Sequence, residues 1–147
     1  MPCTVRLNNG NFLVAFRKIN VDKSSLESTI DTYLSTDRCQ SWMYLSTVKE
    51  IKQNSNPPAM VQLTDGRLCC IYGDRDASEI CGKYSRDAGK TWGPEFTIRS
   101  HYATRDDWSD MGYPRLLKRS DGRLVAVYYW SSPQHPQHYI EAAIWNP

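Results

Sequence analysis

Long apolar segments, a strong charge of either sign and a secretion signal are all lacking in this sequence. No apolar run approaches the roughly 20 residues that a membrane-spanning helix needs, so no membrane partner is predicted. With 18 Lys and Arg against 16 Asp and Glu, the net charge of +2 is too small to indicate nucleic acid or an anionic lipid surface as a partner. The residues after Met1 include no basic segment followed by an apolar one. They predict no signal peptide in this stretch, and the localisation stays unknown.

Metal-ligating patterns are also scarce. The sequence has five cysteines: Cys3, Cys39, Cys69, Cys70 and Cys81. None forms a C-x-x-C pair, and an odd number leaves at least one unpaired. The histidines, His101, His135 and His138, lack further ligands in a metal-binding spacing, so we interpret them as loop residues. We interpret all five cysteines as structural and predict neither a metal nor a cofactor.

A repeat dominates what is present. Segments 7–16, 63–72 and 119–128 each have an Asn-Gly or Asp-Gly pair followed by a short apolar run, which is typical of a hairpin turn leading into a strand. The glycines at 10, 66 and 122 are 56 residues apart in both steps. Aromatic residues make up 12% of the chain, which also favours strands. The equal spacing predicts three copies of one structural unit.

The strands after these turns are apolar throughout rather than alternating, as in segment 124–130. A strand of this kind needs cover on both faces. In a β-propeller, neighbouring blades supply that cover. A parallel α/β fold would also supply it, but no amphipathic helix is apparent between the repeats. The pattern therefore predicts an all-β, antiparallel fold of about ten to twelve short strands.

A second motif lies between the repeats. Residues 85–92 have the form S-x-D-x-G-x-T-W, and residues 35–42 repeat it with Ser41 for Thr and Cys39 in place of the glycine. Such a loop can satisfy its own backbone N–H groups through the Ser and Asp oxygens, while the glycine adopts positive φ. We expect two equivalent turns with both tryptophans buried, so that Trp92→Ala costs about 3–5 kcal/mol. The motif positions are Ser35, Asp37, Trp42, Ser85, Asp87, Gly89, Thr91 and Trp92.

This motif resembles the Asp box of sialidases and related propellers, where it is a structural element away from the active site. Segments 111–129 and 139–147 resemble the last blade of the sialidase-like (BNR-repeat) family. The resemblance covers essentially all 147 residues but only the C-terminal half of a typical six-bladed member. It implies a single partial propeller domain, 1–147, with two full four-stranded blades (about 1–52 and 53–106) and one incomplete blade (about 107–147). A partial propeller is expected to be poorly stable as a monomer, with self-association that completes the ring as one outcome.

The resemblance also implies a carbohydrate ligand and candidate site residues. Exo-sialidases hold the sugar carboxylate with three arginines, whose planar forks suit a carboxylate, and attack with a tyrosine that a glutamate activates. By position, Arg17 and Arg75 match the second and third arginines, and Tyr113 matches the nucleophile. The alternatives are a solvated charge at the end of a strand for Arg17, a solvated loop arginine for Arg75, and a structural aromatic before Pro114 for Tyr113.

Other parts of that machinery have no counterpart here. The first arginine and the acid/base aspartate belong to blades that would precede this chain, and the position expected for the glutamate falls on Met1. Candidate replacements for the base are Asp107, Asp110 and Glu141. The alternative interpretation is that the two aspartates are ordinary loop residues and Glu141 is a charge at the edge of a strand.

Three hypotheses follow. The first is a fragment of a glycoside hydrolase whose parent protein acts on terminal sialic acid or a related anionic sugar. This chain alone is then expected to be inactive. The second is a non-catalytic propeller module that binds carbohydrate or protein. The third is an incomplete open reading frame. Members of the sialidase-like family are often secreted or periplasmic.

Overall fold

The structure is a computed structural model that describes residues 1–19, 27–52, 55–103 and 110–147. These residues form eleven strands in three antiparallel sheets, two of four strands and one of three. The described ranges contain no helix that could span a membrane. The prediction of an all-β, antiparallel partial propeller with two full sheets and one incomplete sheet is confirmed.

Each sheet is built from strands in chain order. Sheet 1 contains β1 (Cys3–Arg6), β2 (Phe12–Ile19), β3 (Ser28–Ser35) and β4 (Met43–Ile51). Sheet 2 contains β5 (Ala59–Gln62), β6 (Leu68–Asp74), β7 (Glu79–Ser85) and β8 (Phe96–Arg99). Sheet 3 contains β9 (Gly112–Lys118), β10 (Leu124–Ser132) and β11 (His135–Trp145).

The three repeat turns have the same geometry. Residues 7–11, 63–67 and 119–123 each connect the first two strands of a sheet and are closed by a backbone hydrogen bond of 2.8 or 2.9 Å. Gly10, Gly66 and Gly122 have φ of 88°, 90° and 85°. A residue with a side chain is disfavoured at such angles, so the repeated glycine fixes the repeated turn.

The sheets stack face to face, with a core on each side of sheet 2. Every residue of β6 is buried, because Cys69 and Ile71 pack towards sheet 3 while Leu68, Cys70 and Tyr72 pack towards sheet 1. The strands β2 and β10 have the same apolar sequence pattern but bury their residues alternately over most of their length. Only the middle sheet therefore receives the two-sided cover that the sequence predicts.

The first strands of successive sheets are in contact: β1 contacts β5, and β5 contacts β9, which also contacts β6. Because successive strands are antiparallel, the repeat turns and the two S-x-D turns lie at one end of the stack. We call the opposite end the mouth. It is the end at which β2, β6 and β10 finish and at which the chain enters β5 and β9. Arg17, Arg75 and Tyr113 all lie at the mouth.

The two S-x-D turns have matching hydrogen bonds. Ser85 Oγ accepts the Gly89 N–H at 2.8 Å, and Ser35 Oγ accepts the Cys39 N–H at 2.9 Å. In the second turn Asp87 accepts the backbone N–H and the hydroxyl of Thr91 at 2.9 and 2.5 Å. In the first turn Asp37 accepts the same groups of Ser41, at 3.0 and 2.5 Å. Cys39 adopts φ 69°, so the turn keeps its left-handed position without a glycine.

The expectation that both tryptophans are buried is wrong for Trp42, which is 36% exposed. Trp92 is partly buried, because it packs back onto sheet 1 and its Nε1 donates to Ser46 Oγ at 3.1 Å. Among the described residues, sheet 1 packs only against sheet 2, so no sheet covers Trp42 in the way that sheet 1 covers Trp92.

Acid is expected to weaken both turns. Hydrogen bonds, first of all from the hydroxyls of Ser41 and Thr91, lower the pKa of Asp37 and Asp87 to about 2. A carboxyl whose pKa is lower in the folded state stabilises the fold above its unfolded pKa, and this contribution is lost as the pH falls towards the folded value. The free energy of unfolding should therefore fall between about pH 4 and pH 2.

Denaturant titrations across this range would measure the effect, with the double variant Asp37→Asn, Asp87→Asn for comparison. The variant should be less stable at neutral pH and should show a flatter acid dependence. An acid dependence as steep as that of the native chain would contradict this origin.

Candidate functional site

The Arg17 side chain reaches from sheet 1 to the chain segment that enters sheet 2. Its Nη1 donates to the backbone oxygen of Ser55 at 2.6 Å. Ser55 is fully buried and is held to sheet 1 by Ser28, whose Oγ donates to Ser55 Oγ at 2.8 Å and accepts the Ser55 N–H at 3.0 Å. Arg17 therefore contacts the backbone that connects two sheets at the mouth, and is not a solvated strand end.

The next residue, Asn56, fits between sheets 2 and 3. Its backbone N–H donates to Gly73 O at 3.1 Å, and its side chain is completely buried. A Cβ at Gly73 would lie 2.4 Å from Asn56 Oδ1, and one at Gly112 would lie 3.3 Å from the same atom. Within the described ranges the amide atoms of Asn56 have no hydrogen-bond partner. The two glycines leave space for the Asn56 side chain. Gly73 directly precedes Asp74, and Gly112 directly precedes Tyr113.

Arg75 and Tyr113 belong to one connected cluster with Asp110 and Tyr129, which we call the mouth cluster. The Tyr129 hydroxyl donates to Asp110 Oδ1 at 2.7 Å, and Arg75 Nη2 lies 3.7 Å from the same oxygen. The rings of Tyr113 and Tyr129 stack, with centroids 5.9 Å apart and an interplanar angle of 23°. The Arg75 side chain is only 8% exposed, so it is not a solvated loop arginine.

The backbone of β9 and β10 is irregular where the cluster forms. Gly112 and Tyr113 have φ of 93° and 46°, and the pairing of β9 with β10 shifts register between Val127 and Tyr129. Irregular pairing and left-handed residues redirect side chains at the ends of strands. They bring the Tyr113 ring over Tyr129 while leaving it 37% exposed.

A loop between sheets 2 and 3 supports the cluster from behind. The N–H groups of Tyr102 and Ala103 donate to Ser78 O and Ser131 O, at 3.3 and 3.0 Å. The Tyr102 hydroxyl donates to the backbone oxygen of Asp110 at 2.5 Å and lies 2.7 Å from His138 Nε2. Since the Tyr102 proton is already used, His138 Nε2 must be the donor in the second contact. His138 also packs edge-on against Tyr129, with centroids 5.2 Å apart.

The electrostatics of the mouth cluster favour a neutral phenol beside a carboxylate. Burial, followed by the hydrogen bond to Asp110, raises the pKa of Tyr129 above its usual value, so its proton stays in place at neutral pH. In the described part of the chain, no hydrogen bond connects Tyr113 to a carboxylate. A sugar at the cluster would meet an exposed aromatic ring, a carboxylate and a guanidinium, which together suit hydroxyl-rich rings.

Among the substitute bases, Asp110 lies in the cluster and Glu141 does not. Glu141 forms an ion pair with Arg99 Nε at 2.9 Å and accepts a hydrogen bond from the Tyr128 hydroxyl at 3.3 Å, on the side of sheet 3 that packs against sheet 2. Asp107 falls outside the described residues. Within the described ranges no group of His, Cys, Asp and Glu could hold a metal ion, and all five cysteines are free thiols.

Asp110 could be proposed from the sequence, whereas the part that Tyr129, Tyr102 and His138 play in the cluster could not. Tyr129 lies within the apolar run 124–130, one residue before its end, and the pattern indicates one more core residue there. Nothing in the sequence indicates that the register shift turns it towards Asp110, because that shift depends on pairing across two strands.

The sequence matches no protein-family model and no curated protein sequence. Solved structures do match. An α-L-arabinanase of Penicillium chrysogenum complexed with arabinobiose has a TM-score of 0.74 and 21% identity, covering 98% of this chain and 45% of that chain. The GH93 α-L-arabinofuranosidase of Fusarium graminearum with arabinobiose has a TM-score of 0.74 and 18% identity, covering 97% and 46%. An endo-arabinase from Bacteroides thetaiotaomicron has a TM-score of 0.68 and 12% identity, covering 97% and 55%.

These neighbours are β-propeller glycoside hydrolases, and at such identities the likeness shows a shared fold. This chain spans less than half the length of the first two. The propeller part of the sequence resemblance is therefore shown, and its sialidase part stays a hypothesis.

Proposed function

We propose that this chain is the sugar-binding part of a glycoside-hydrolase-type propeller and that the sugar occupies the mouth. The observation that carries the proposal is the mouth cluster, in which Arg75 from sheet 2 meets Asp110, Tyr113 and Tyr129 at sheet 3. Ligand sites of repeat folds form where loops of successive units meet at one end. The fold shared with carbohydrate-active neighbours supports the same ligand class.

The charge balance of the cluster bears on which sugar binds. Arg75 already faces Asp110, and Arg17 donates to a backbone oxygen. A neutral sugar can use Asp110 as an acceptor and Arg75 as a donor with this pairing intact. Sialic acid or another anionic sugar would place its carboxylate in competition with Asp110 for Arg75. The cluster favours the neutral sugar, and the presence of both arginines at the mouth keeps the anionic sugar as the second candidate.

The chain alone is proposed to bind without cleaving. Glycosidases of the usual kind need two carboxyl groups flanking the bond, and the tyrosine variant needs a base beside its phenol. The mouth cluster has a single described carboxylate, Asp110, and that group accepts its hydrogen bond from Tyr129 rather than from Tyr113. This supports the non-catalytic hypothesis for the 147 residues themselves, whatever the parent protein does.

Replacing Arg75 with Gln is expected to weaken sugar binding by about tenfold or more, because a charge-assisted hydrogen bond at a site shielded from solvent contributes roughly 1.5–3 kcal/mol. Calorimetric titration with arabinobiose and with sialyllactose would measure this. The matched control is Arg123→Gln. Arg123 also faces an aspartate, Asp121, but lies in a repeat turn at the opposite end.

Salt separates the two sugar classes. Raising the ionic strength should leave the affinity for a neutral sugar unchanged and lower that for an anionic one, because screening weakens only the charged contact. Binding that is unchanged in Arg75→Gln, or equally weakened in Arg123→Gln, would overturn the assignment of the mouth cluster. Hydrolysis of either sugar by the isolated chain would overturn the proposal of binding alone.

A further inference from the structure

The two outermost sheets of the stack each present an uncovered apolar face. On sheet 1 this face carries Phe12, Val14, Phe16, Tyr33 and Tyr44, on the side of β2 opposite to the buried Leu13 and Ala15. Phe16 stacks on Tyr33, which contacts Tyr44 edge-on, with centroids 5.1 and 5.6 Å apart. We call this the sheet 1 outer face.

Sheet 3 has a corresponding surface. Its outer face carries Leu117, Val125, Val127, Ile140 and Ile144, opposite to the side that packs on sheet 2. Leu117 is 60% exposed, Ile140 74% and Ile144 49%. Apart from Met1, Trp42 and Met43, every large exposed hydrophobic side chain in the described ranges lies on one of these two faces or, as Tyr113 does, at the mouth. Apolar surface gathered in this way indicates an interface rather than chance exposure.

The buried middle sheet shows what kind of cover these faces fit. The strand β6 has the same apolar pattern as β2 and β10, and it is covered on both faces by a neighbouring sheet of the same chain. A sheet of the same repeat is therefore the shape that fits against β2 and β10. Within the described ranges, no sheet of the same chain packs on the sheet 1 outer face or on the sheet 3 outer face.

We infer that a second copy of this chain covers both faces head to tail, so that sheet 3 of each copy packs on sheet 1 of the other. Such a contact continues the order of sheets within the chain, and two copies supply six sheets. The length of the chain agrees with this arrangement. One copy covers 44–46% of the arabinanase and arabinofuranosidase structures that it resembles, so two copies have about the length of one of them. A head-to-tail contact that closes after two copies leaves neither face exposed.

Sedimentation velocity and light scattering of the purified 147-residue chain test this directly. The expected mass is twice the 16.9 kDa of a single chain. Tyr44→Lys and Ile140→Lys each place a charge on one outer face at a side chain that is already 57% or 74% exposed, so each variant should fold as a monomer. Gln40→Lys adds the same charge in an exposed turn and should stay dimeric. Circular dichroism checks that all three variants fold.

Mixing the two variants identifies the arrangement. Tyr44→Lys keeps an intact sheet 3 face and Ile140→Lys keeps an intact sheet 1 face, so a mixture regains one native contact and should form a heterodimer that neither variant forms with itself. A native chain that is monomeric, which leaves both faces to another polypeptide, would overturn the proposal. Assemblies larger than two copies would overturn it as well. A Tyr44→Lys protein that stays dimeric would indicate contact between two sheet 3 faces and would also contradict it.

Discussion

Replacing Gly89 with Cys is expected to lower the free energy of unfolding by about 2–5 kcal/mol. Gly89 has φ +90°, where a side chain costs roughly 1–2 kcal/mol of backbone strain. A Cβ there would also lie 2.8 Å from Leu13 Cδ2 and 3.4 Å from Leu45 Cδ2. Crowding of this kind costs roughly a further 1–3 kcal/mol, because the completely buried Leu13 side chain must shift within a packed core. Denaturant unfolding at fixed protein concentration would measure the change.

The chain contains its own matched control. Cys39 occupies the equivalent position of the first turn, with φ 69° and with exposed surroundings. Cys39→Gly should therefore raise the free energy of unfolding by about 0.5–1 kcal/mol, because it removes backbone strain and, at an exposed position, leaves no cavity in the core. The same pair of residues, exchanged between equivalent positions, should thus have effects of opposite sign. If Gly89→Cys changes stability by less than about 0.5 kcal/mol, the turn does not depend on Gly89 in this way.

Replacing Trp130 with Ala is expected to cost about 3–5 kcal/mol, the usual range for a large aromatic in a core. Trp130 is completely buried and contacts the rings of Tyr102 and Tyr128, with centroids 5.1 and 5.8 Å away. The guanidinium of Arg99 lies 5.4 Å from the Trp130 ring centre. Because Tyr102 holds the Asp110 backbone, the cavity should also loosen the mouth cluster, which sugar titration of the variant would detect.

Trp42→Ala is the control for this substitution, since Trp42 is 36% exposed. It removes the same side chain from a position with little cover, so its cost should stay below about 1 kcal/mol in the monomer. A loss for Trp42→Ala equal to that for Trp130→Ala would show that burial does not control these effects.

The sequence predicts the fold well because the turns that define it are local. Gly10, Gly66 and Gly122 fix three equal hairpins through their own backbone angles, and that chemistry can be read without knowing what packs nearby. The burial of Trp42 was predicted wrongly for the opposite reason. Its environment depends on what packs against sheet 1, and no pattern within residues 35–42 carries that information.

The site could be predicted only in part. Order along the chain was enough to place Arg75 and Tyr113 at the same end, since Arg75 follows the strand after one repeat turn and Tyr113 lies near the start of the strand before the next. The partners that define the mouth cluster, Tyr129 and His138, depend on a register shift and on a loop that joins two sheets. Contacts of this kind are set by tertiary packing, which local propensity does not encode.

The complete burial of β6 has a consequence for how the molecule opens. In a stack where each unit contacts only its neighbours, the free energy of opening a unit includes every interface it must break. Within one copy of the chain, opening sheet 2 breaks two such interfaces, whereas opening sheet 1 or sheet 3 breaks one. Amide protons of β6 are therefore expected to exchange with solvent only when the whole stack unfolds. Those at the edges of β4 and β11 should exchange through local fraying. The most cooperative unfolding unit is thus sheet 2, and the stability of sheets 1 and 3 depends on the sheet that each packs against.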